Sequence, residues 1–327
     1  MRSIAVVLFF GFLFSGCHPS GSEVSKTDGQ HKGNTRYATR FELLPFEGFT
    51  LLRVFDPWQK SRGSTYTCVL GKDEALLPDS LSVFPFIQTP VSRVIAMSTT
   101  HVAMIAGLDE ASSIKGASGT PFIYNPDIRK ACDAGQVADV GYGQGINYEK
   151  VVSLEPDLVF LYGVEGNVIS VAEKLEELGI QVVFCAEYLE QDPLGKAEWI
   201  RFFAAFYNRE READSIFSMV DSNYISLQSL VSPVSHKPEV MTGLPWKDTW
   251  YVAGGKSYAS RLIEEAGGSY IWRDNDSDEA VPMNLESVYT RAVDADIWIN
   301  PGVARTIAEL IAFDVRFEEL PVLKQGR

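Results

Sequence analysis

The stretch between Asn208 and Pro233 constrains this chain more than any other. Ala213, Ile216, Phe217, Val220, Tyr224, Leu227 and Val231 recur in it at helical spacing until Pro233 ends the run. A helix of that length spans roughly 34 Å at 1.5 Å per residue, the width of a small domain. On both sides of it the pattern alternates strand with helix. Before it, residues 93–97, 157–161 and 181–185 read as strands. Residues 100–107, capped by Ser98 or Thr99, and 168–178, closed by Gly179, read as helices. Asp192 and Pro193 form a cap and first-turn proline that open a further helix through Trp199, Phe203 and Phe206. After the long helix, strands are expected at 239–244 and 297–300, and helices at 258–266 and 306–313. Such alternation builds parallel sheets covered by helices on both faces. The expected fold is α/β, with two lobes and one long helix between them.

Residues 36–92 have a different texture. Short apolar and aromatic runs alternate there with Pro45, Pro57, Gly63 and Gly71, so a β-rich extension packed on the first lobe is expected. The resulting division is 93–207 for the first lobe, 208–232 for the long helix and 233–327 for the second. Ahead of the extension, Arg2 supplies a positive start and residues 4–14 an apolar run too short to span a bilayer. Ser15-Gly16-Cys17 then puts small residues directly before a cysteine, which resembles a bacterial lipobox. In that reading 1–16 is a signal peptide, Cys17 carries lipid, and 17–35, nearly devoid of apolar residues, is a flexible tether. The alternative is an ordinary signal peptide with a chance cysteine. Either way the body lies outside the cytoplasm, and with lipid it is anchored in the cell envelope, facing the periplasm.

Composition excludes several functions. The net charge of -14 argues against nucleic acid or an anionic membrane surface as partner. Cys68, Cys132 and Cys185 are an odd set, which no disulfide framework uses fully. A Cys68–Cys132 bridge lacks support, and Cys185 reads as a buried small hydrophobe. The four histidines, His18, His31, His101 and His236, leave no three-histidine metal set, and His101 at a helix start reads as a polar cap. Gly141-Tyr142-Gly143-Gln144-Gly145 lacks the strand-loop-helix order and acidic partner of a dinucleotide loop. No nucleophile elbow or acid/base pair stands out, so no enzyme and no intrinsic cofactor is expected.

The two lobes repeat one signal. Asn147 precedes Glu149 and then Asp157; Asn284 precedes Glu286 and then Asp296. Each asparagine caps a short helix with a glutamate in its first turn, where the helix dipole favours it. These are either two caps that merely stabilise their helices or two equivalent exposed carboxylates, one per lobe.

Taken together, Arg93-Val94-Ile95-Ala96-Met97-Ser98-Thr99-Thr100-His101, Asp139-Val140-Gly141-Tyr142-Gly143, Asn147-Tyr148-Glu149, Pro156-Asp157-Leu158-Val159, Pro245-Trp246-Lys247-Asp248 and Ala266-Gly267-Gly268 resemble a known family. It is the class of ABC-importer substrate-binding proteins that includes cobalamin- and ferric-siderophore-binding members, most of all the iron-complex binding lipoproteins of Bacteroidetes. The resemblance implies two Rossmann-like lobes, a ligand cleft between them, and a monomer that meets an ABC permease dimer with its ATPase. It implies a metal chelate as ligand, a ferric siderophore first and haem second, with a corrinoid as the alternative. Glu149 and Glu286 match the family's permease-docking acids. The relatives continue past a second-lobe helix where this chain ends at Arg327, so a shortened second lobe is expected. A cofactor-binding enzyme or a surface capture lipoprotein are the competing classes.

Ligands of open α/β sheets bind beyond the carboxyl ends of the strands. That rule gives Ser98, Thr99, Thr100, Tyr142, Tyr162, Glu187 and Tyr188 on the first lobe and Trp246, Lys247, Trp250, Trp272, Arg273 and Asn300 on the second. Of these, Thr99, Thr100, Tyr142, Tyr162, Tyr188, Trp246, Lys247, Trp250 and Arg273 are the expected ligand contacts. Rims rich in Tyr and Trp suit a large, flat ligand, since aromatics give area at little entropic cost.

Overall fold

In the computed structural model, which describes residues 35–163 and 168–326, the chain enters through a small sheet. The signal-like segment, Cys17 and the tether as far as Asn34 lie outside the described residues. β1 (Phe41–Pro45), β2 (Phe49–Phe55) and β3 (Thr65–Gly71) form an antiparallel meander, and β4 (Phe86–Gln88) adds in parallel beside β3. Phe41, Leu52, Val54, Leu70 and Ile87 turn inward and share one core with the first lobe.

That lobe runs β5 (Val94–Ala96), α1 (Thr99–Gly107), β6 (Ile114–Ala117), α2 (Pro126–Asp133), β7 (Ala138–Asp139), α3 (Tyr148–Ser153), β8 (Leu158–Leu161), α4 (Val168–Glu177), β9 (Val182–Phe184) and α5 (Pro193–Ala205). Its five strands are parallel, in the order β7-β6-β5-β8-β9. β5 and β8 are buried at every position, as apolar runs in a doubly covered sheet should be. Ser98 caps α1 and Asp192 caps α5, each accepting from backbone N–H groups of the first turn.

α5 is the spine of this core. Trp199, Phe202, Phe203 and Phe206 are fully buried, and the Trp199 ring lies 4.8 Å from that of Phe41 on β1. The segment ahead of β1 is held by charge as well as by the apolar packing of Tyr37 and Ala38. Buried Glu198 accepts from the backbone N–H groups of Arg36, Tyr37 and Ala38 at 2.7–3.0 Å, and from the Arg201 guanidinium. Glu190, just before α5, accepts from the N–H groups of Thr39 and Arg40 at 2.9 Å and from the Trp199 indole at 3.1 Å. Five successive amides thus bond to two carboxylates. Such charge-assisted bonds are roughly twice as strong as neutral ones, which is what makes a buried carboxylate tolerable.

α6 (Glu210–Val231) follows, packing on α5 through Ala213 and Phe217. The second lobe then runs β10 (Glu239–Thr242), β11 (Pro245–Trp246), β12 (Thr249–Val252), α7 (Tyr258–Glu265), β13 (Ser269–Tyr270), β14 (Val281–Asn284), α8 (Leu285–Ala292), β15 (Ile297–Ile299), α9 (Ile307–Phe313) and α10 (Pro321–Lys324). Its parallel sheet has three strands, β13-β10-β15, and a separate antiparallel sheet, β11-β12-β14, lies beside it. That second sheet departs from simple alternation: residues expected to form a rim loop make a hairpin turning on Lys247 and Asp248, with Lys247 at φ +55°. Trp250, Trp298 and Phe317 form the aromatic centre of the lobe, with ring centroids 5.1–5.9 Å apart.

The repeated signal has a structural counterpart. The Asp157 carboxylate accepts from the N–H groups of Ser92 and Arg93, and the Asp157 N–H donates to the Arg93 carbonyl. In the second lobe Asp296 does the same with Glu239. Asn147 caps α3 and Asn284 caps α8, accepting from Lys150 and Ser287 N–H groups respectively. Among the described residues, no helix is long and apolar enough to cross a membrane.

Candidate functional site: a three-walled cleft

A cavity of about 420 Å³ opens between the lobes, lined by the residues that follow β9 and β12. Its first wall is Tyr188, Glu190 and Gln191, and its second is Ala253, Ser257, Tyr258 and Asp278. Its third comes from the turn between β2 and β3, through Asp56, Trp58, Lys60 and Arg62. That turn is firmly seated. The Asp56 carboxylate accepts from Gly63 N–H at 2.7 Å, Gln59 N–H donates to the Gly163 carbonyl at 3.3 Å, and the Trp58 ring lies 5.1 Å from Phe184. In the second wall, a Cβ on Gly254 would sit 2.1 Å from the Ser277 carbonyl oxygen, and one on Gly255 2.3 Å from that of Asn275. Only glycine allows the two loops so close an approach.

Polar contacts tie the lobes together at and beside this cavity. Asp192, already the cap of α5, pairs with Arg261 of α7 at 2.8 Å. The Gln191 side-chain amide donates to Asp278 at 2.9 Å, and the Lys196 ammonium sits 4.2 Å above the Tyr258 ring. The Tyr224 hydroxyl of α6 donates to Glu265 of α7 at 2.6 Å.

The first-lobe residues singled out in the sequence gather at one end of its sheet. Thr99 opens α1, and the Thr100 hydroxyl donates to Glu187 at 2.8 Å. Tyr142 is 65% exposed, on a loop where Gly141 takes φ +83° and any Cβ would lie 2.2 Å from the Gly145 carbonyl oxygen. The Tyr162 ring packs edge-on to Tyr188 at 5.7 Å, and the Tyr188 hydroxyl donates to the Gly163 carbonyl. Burial pushes the Tyr162 phenol up to about 12, helped by the neighbouring Tyr142 phenol and the Glu187 carboxylate. Of these residues, Tyr188 also lines the cavity.

Beneath this rim the structure corrects the reading of His101. Ser98 is the cap; His101 faces inward and is completely buried, its Nε2 3.3 Å from a Glu187 oxygen. Burial raises the Glu187 carboxyl, but attraction to His101 and the Thr100 hydroxyl outweigh it and hold the group below its ordinary range. Cys185 is buried, as expected, beside both.

The second-lobe expectations divide. Trp246, 70% exposed, and Lys247 stand at the hairpin tip, outside the cavity lining. Trp250 is not a rim residue: it is 1% exposed and its indole donates to the Thr242 carbonyl at 3.1 Å. The period-two alternation of β12 explains this, since Trp250 and Val252 face the core while Tyr251 faces solvent. Arg273 also leaves the cleft. It pairs with Glu239 at 2.8 Å, and because Glu239 opens β10, the guanidinium lies at the amino end of the sheet. Glu149 and Glu286 are both exposed, in the first turns of α3 and α8. The third wall escaped the sequence reading; Trp58, an aromatic between Pro57 and Gly63, was its one local signal.

Two α/β lobes, a single long helix between them and a cavity at their junction describe a solute-binding architecture, and the sequence decides the family. Residues 94–327 match the family described as periplasmic binding protein. The chain belongs to that family. Its members and structural neighbours are solute-binding proteins, not enzymes. An uncharacterized lipoprotein of Methanocaldococcus jannaschii is 32% identical over 75% of this chain, and the match spans 60% of that relative's length. The crystal structure of an ABC-type Fe3+-hydroxamate transport system from Saccharomonospora viridis superposes with TM-score 0.56 at 19% identity, covering 72% of this chain and 84% of that one. A periplasmic vitamin B12 binding protein of Vibrio cholerae gives TM-score 0.54 at 16% identity, covering 72% and 86%. At such identities the likeness shows the shared fold.

Proposed function

We propose that this chain is the substrate-binding lipoprotein of an ABC importer, which captures a metal chelate between its lobes and delivers it to a permease. What carries this reading is the cavity built from both lobes of a periplasmic binding protein, with tyrosines on the neighbouring rim. Pockets of several hundred Å³ suit compact organic ligands, and a few placed polar groups then set their orientation. A ferric siderophore is the first candidate, as the family resemblance implies. Lys60 and Arg62 offer it cations, while Asp56, Glu190, Asp278 and Glu279 share the lining, so net charge does not select the chelate. Haem and a corrinoid are its competitors.

The test is titration of the purified protein with a ferric hydroxamate, haem and cobalamin, read by tryptophan fluorescence, beside native mass spectrometry of protein from its own host. One retained chelate per chain supports the proposal. No fluorescence change with any of the three, and no retained chelate, refutes it.

Glu149 and Glu286 are proposed as the permease contacts. They occupy equivalent places in the two lobes and both are exposed, so they contribute little to folding, about 0–1 kcal/mol each. Against arginines of a partner such carboxylates give strong, orienting bonds. The double variant Glu149→Arg, Glu286→Arg should keep its ligand affinity while uptake in cells is largely abolished. Unchanged uptake sinks the assignment. Cys17 is proposed as the lipid attachment, and a Cys17→Ser protein that still incorporated labelled palmitate would exclude it.

A further inference from the structure

Beneath the first-lobe rim lies a donor set that solute capture does not use. His101 comes from the first turn of α1, Cys185 from just past β9, and Glu187 from the turn that follows. All three are buried, and one ligand atom from each lies within 4.8 Å of the other two. Neither His101 nitrogen nor the second Glu187 oxygen has a hydrogen-bond partner among the described residues, although His101 Nε2 is 3.3 Å from the other oxygen. The surroundings are apolar: the His101 ring lies 5.5–6.4 Å from those of Phe203, Tyr162 and Phe160. Unpartnered polar atoms are rare in such a place and call for an explanation.

We propose that His101, Cys185 and Glu187 form a three-ligand site for a zinc-class divalent cation. The donor chemistry selects the ion. A thiolate and an imidazole suit zinc or cobalt, whereas calcium and magnesium require six or more oxygens, largely absent here. The spacing of one pair agrees as well. Nitrogen and oxygen ligands at zinc distances in a tetrahedron lie roughly 3.4 Å apart, and the His101–Glu187 separation is 3.3 Å. That is long and misaligned for a hydrogen bond and right for two ligands of one ion. Thr100, donating to Glu187 at 2.8 Å and itself bonded to Ser98 at 2.7 Å, supplies the outer support that orients a metal-binding carboxylate. On binding, the S–H bond breaks, an S–metal bond forms and the proton passes to solvent, so affinity falls as pH falls. The ion would tie the start of α1 to the turn that carries Tyr188, on the wall of the cleft.

Chelator-stripped full-length protein titrated with Co2+ should develop a thiolate-to-cobalt charge-transfer band saturating at one equivalent. Cys185→Ala should lose that band, His101→Gln should weaken binding at least tenfold, and Cys132→Ser should leave both unchanged. Zinc-loaded wild-type protein, examined by X-ray absorption, should show one sulfur and otherwise nitrogen or oxygen ligands, a reading that needs no variant to fold. A zinc shell without sulfur, a cobalt band that survives in Cys185→Ala, or one lost in Cys132→Ser overturns the proposal.

Discussion

The two lobes share a plan and differ in how they are supported. The first has five parallel strands, a second sheet leaning on it, and a spine of buried aromatics in α5. The second has three parallel strands beside a three-stranded antiparallel sheet, and meets the first through Arg261, Gln191, Tyr258 and Tyr224. Apolar packing resists deformation, whereas a few exposed polar contacts exchange readily with water. The difference assigns the roles. The first lobe, with the extension, supplies two of the three cleft walls, and the expected behaviour is that the second lobe moves against it over a range limited by continuous α6.

This contrast is easiest to break at Glu198. Glu198→Ala strips a buried carboxylate from three amides and a guanidinium, so it should lower unfolding free energy by about 3–5 kcal/mol in denaturant titration. A loss under about 1 kcal/mol would mean that the extension is held by apolar packing alone. Trp246→Ala should weaken ligand binding by about 1–3 kcal/mol without altering stability, if the hairpin tip closes over bound ligand. A fall in stability with binding intact would make Trp246 a structural residue. Arg261→Ala should cost less than about 1 kcal/mol of stability, since the pair is partly exposed. Its scattering profile should nevertheless shift towards a more open shape, while wild-type profiles with and without ligand differ little. A large rotation in the wild type would remove α6 as the restraint.

The smallest effect concerns acid. Arg316 beside Asp314 holds that carboxyl at about 2, below its ordinary value. A depressed carboxyl stabilises the fold above its unfolded value, and that contribution is lost as pH falls from about 4 towards about 2. Asp314→Asn should therefore flatten the acid limb of second-lobe unfolding over that window, seen by circular dichroism. An unchanged limb would show the pair to be screened by solvent.

What was legible in the sequence was local. The cap at Asp192, the asparagine caps ahead of Glu149 and Glu286, and the run into Pro233 carry their signals within a few residues, and each sits where its chemistry directs. The failures are matters of register and distance. Trp250 lies near a strand end in sequence, but which face it takes depends on the partners of β12, and no local pattern records them. The third wall required knowing that the turn at Trp58 returns to lie beside Tyr188. Likewise His101 and Glu187 are far apart in the chain, and the sheet alone brings them together.

The seating of residues 36–40 on Glu198 and Glu190 also has a mechanical meaning. Arg36 and Tyr37 further grip Asp221 of α6. A pull on the chain at Thr35 is therefore shared by α5, α6 and Glu190, and because Glu190 also lines the cleft, one wall lies on the line of load. None of these contacts reaches the second lobe, so force entering at Arg36 is delivered to the first lobe and α6 alone.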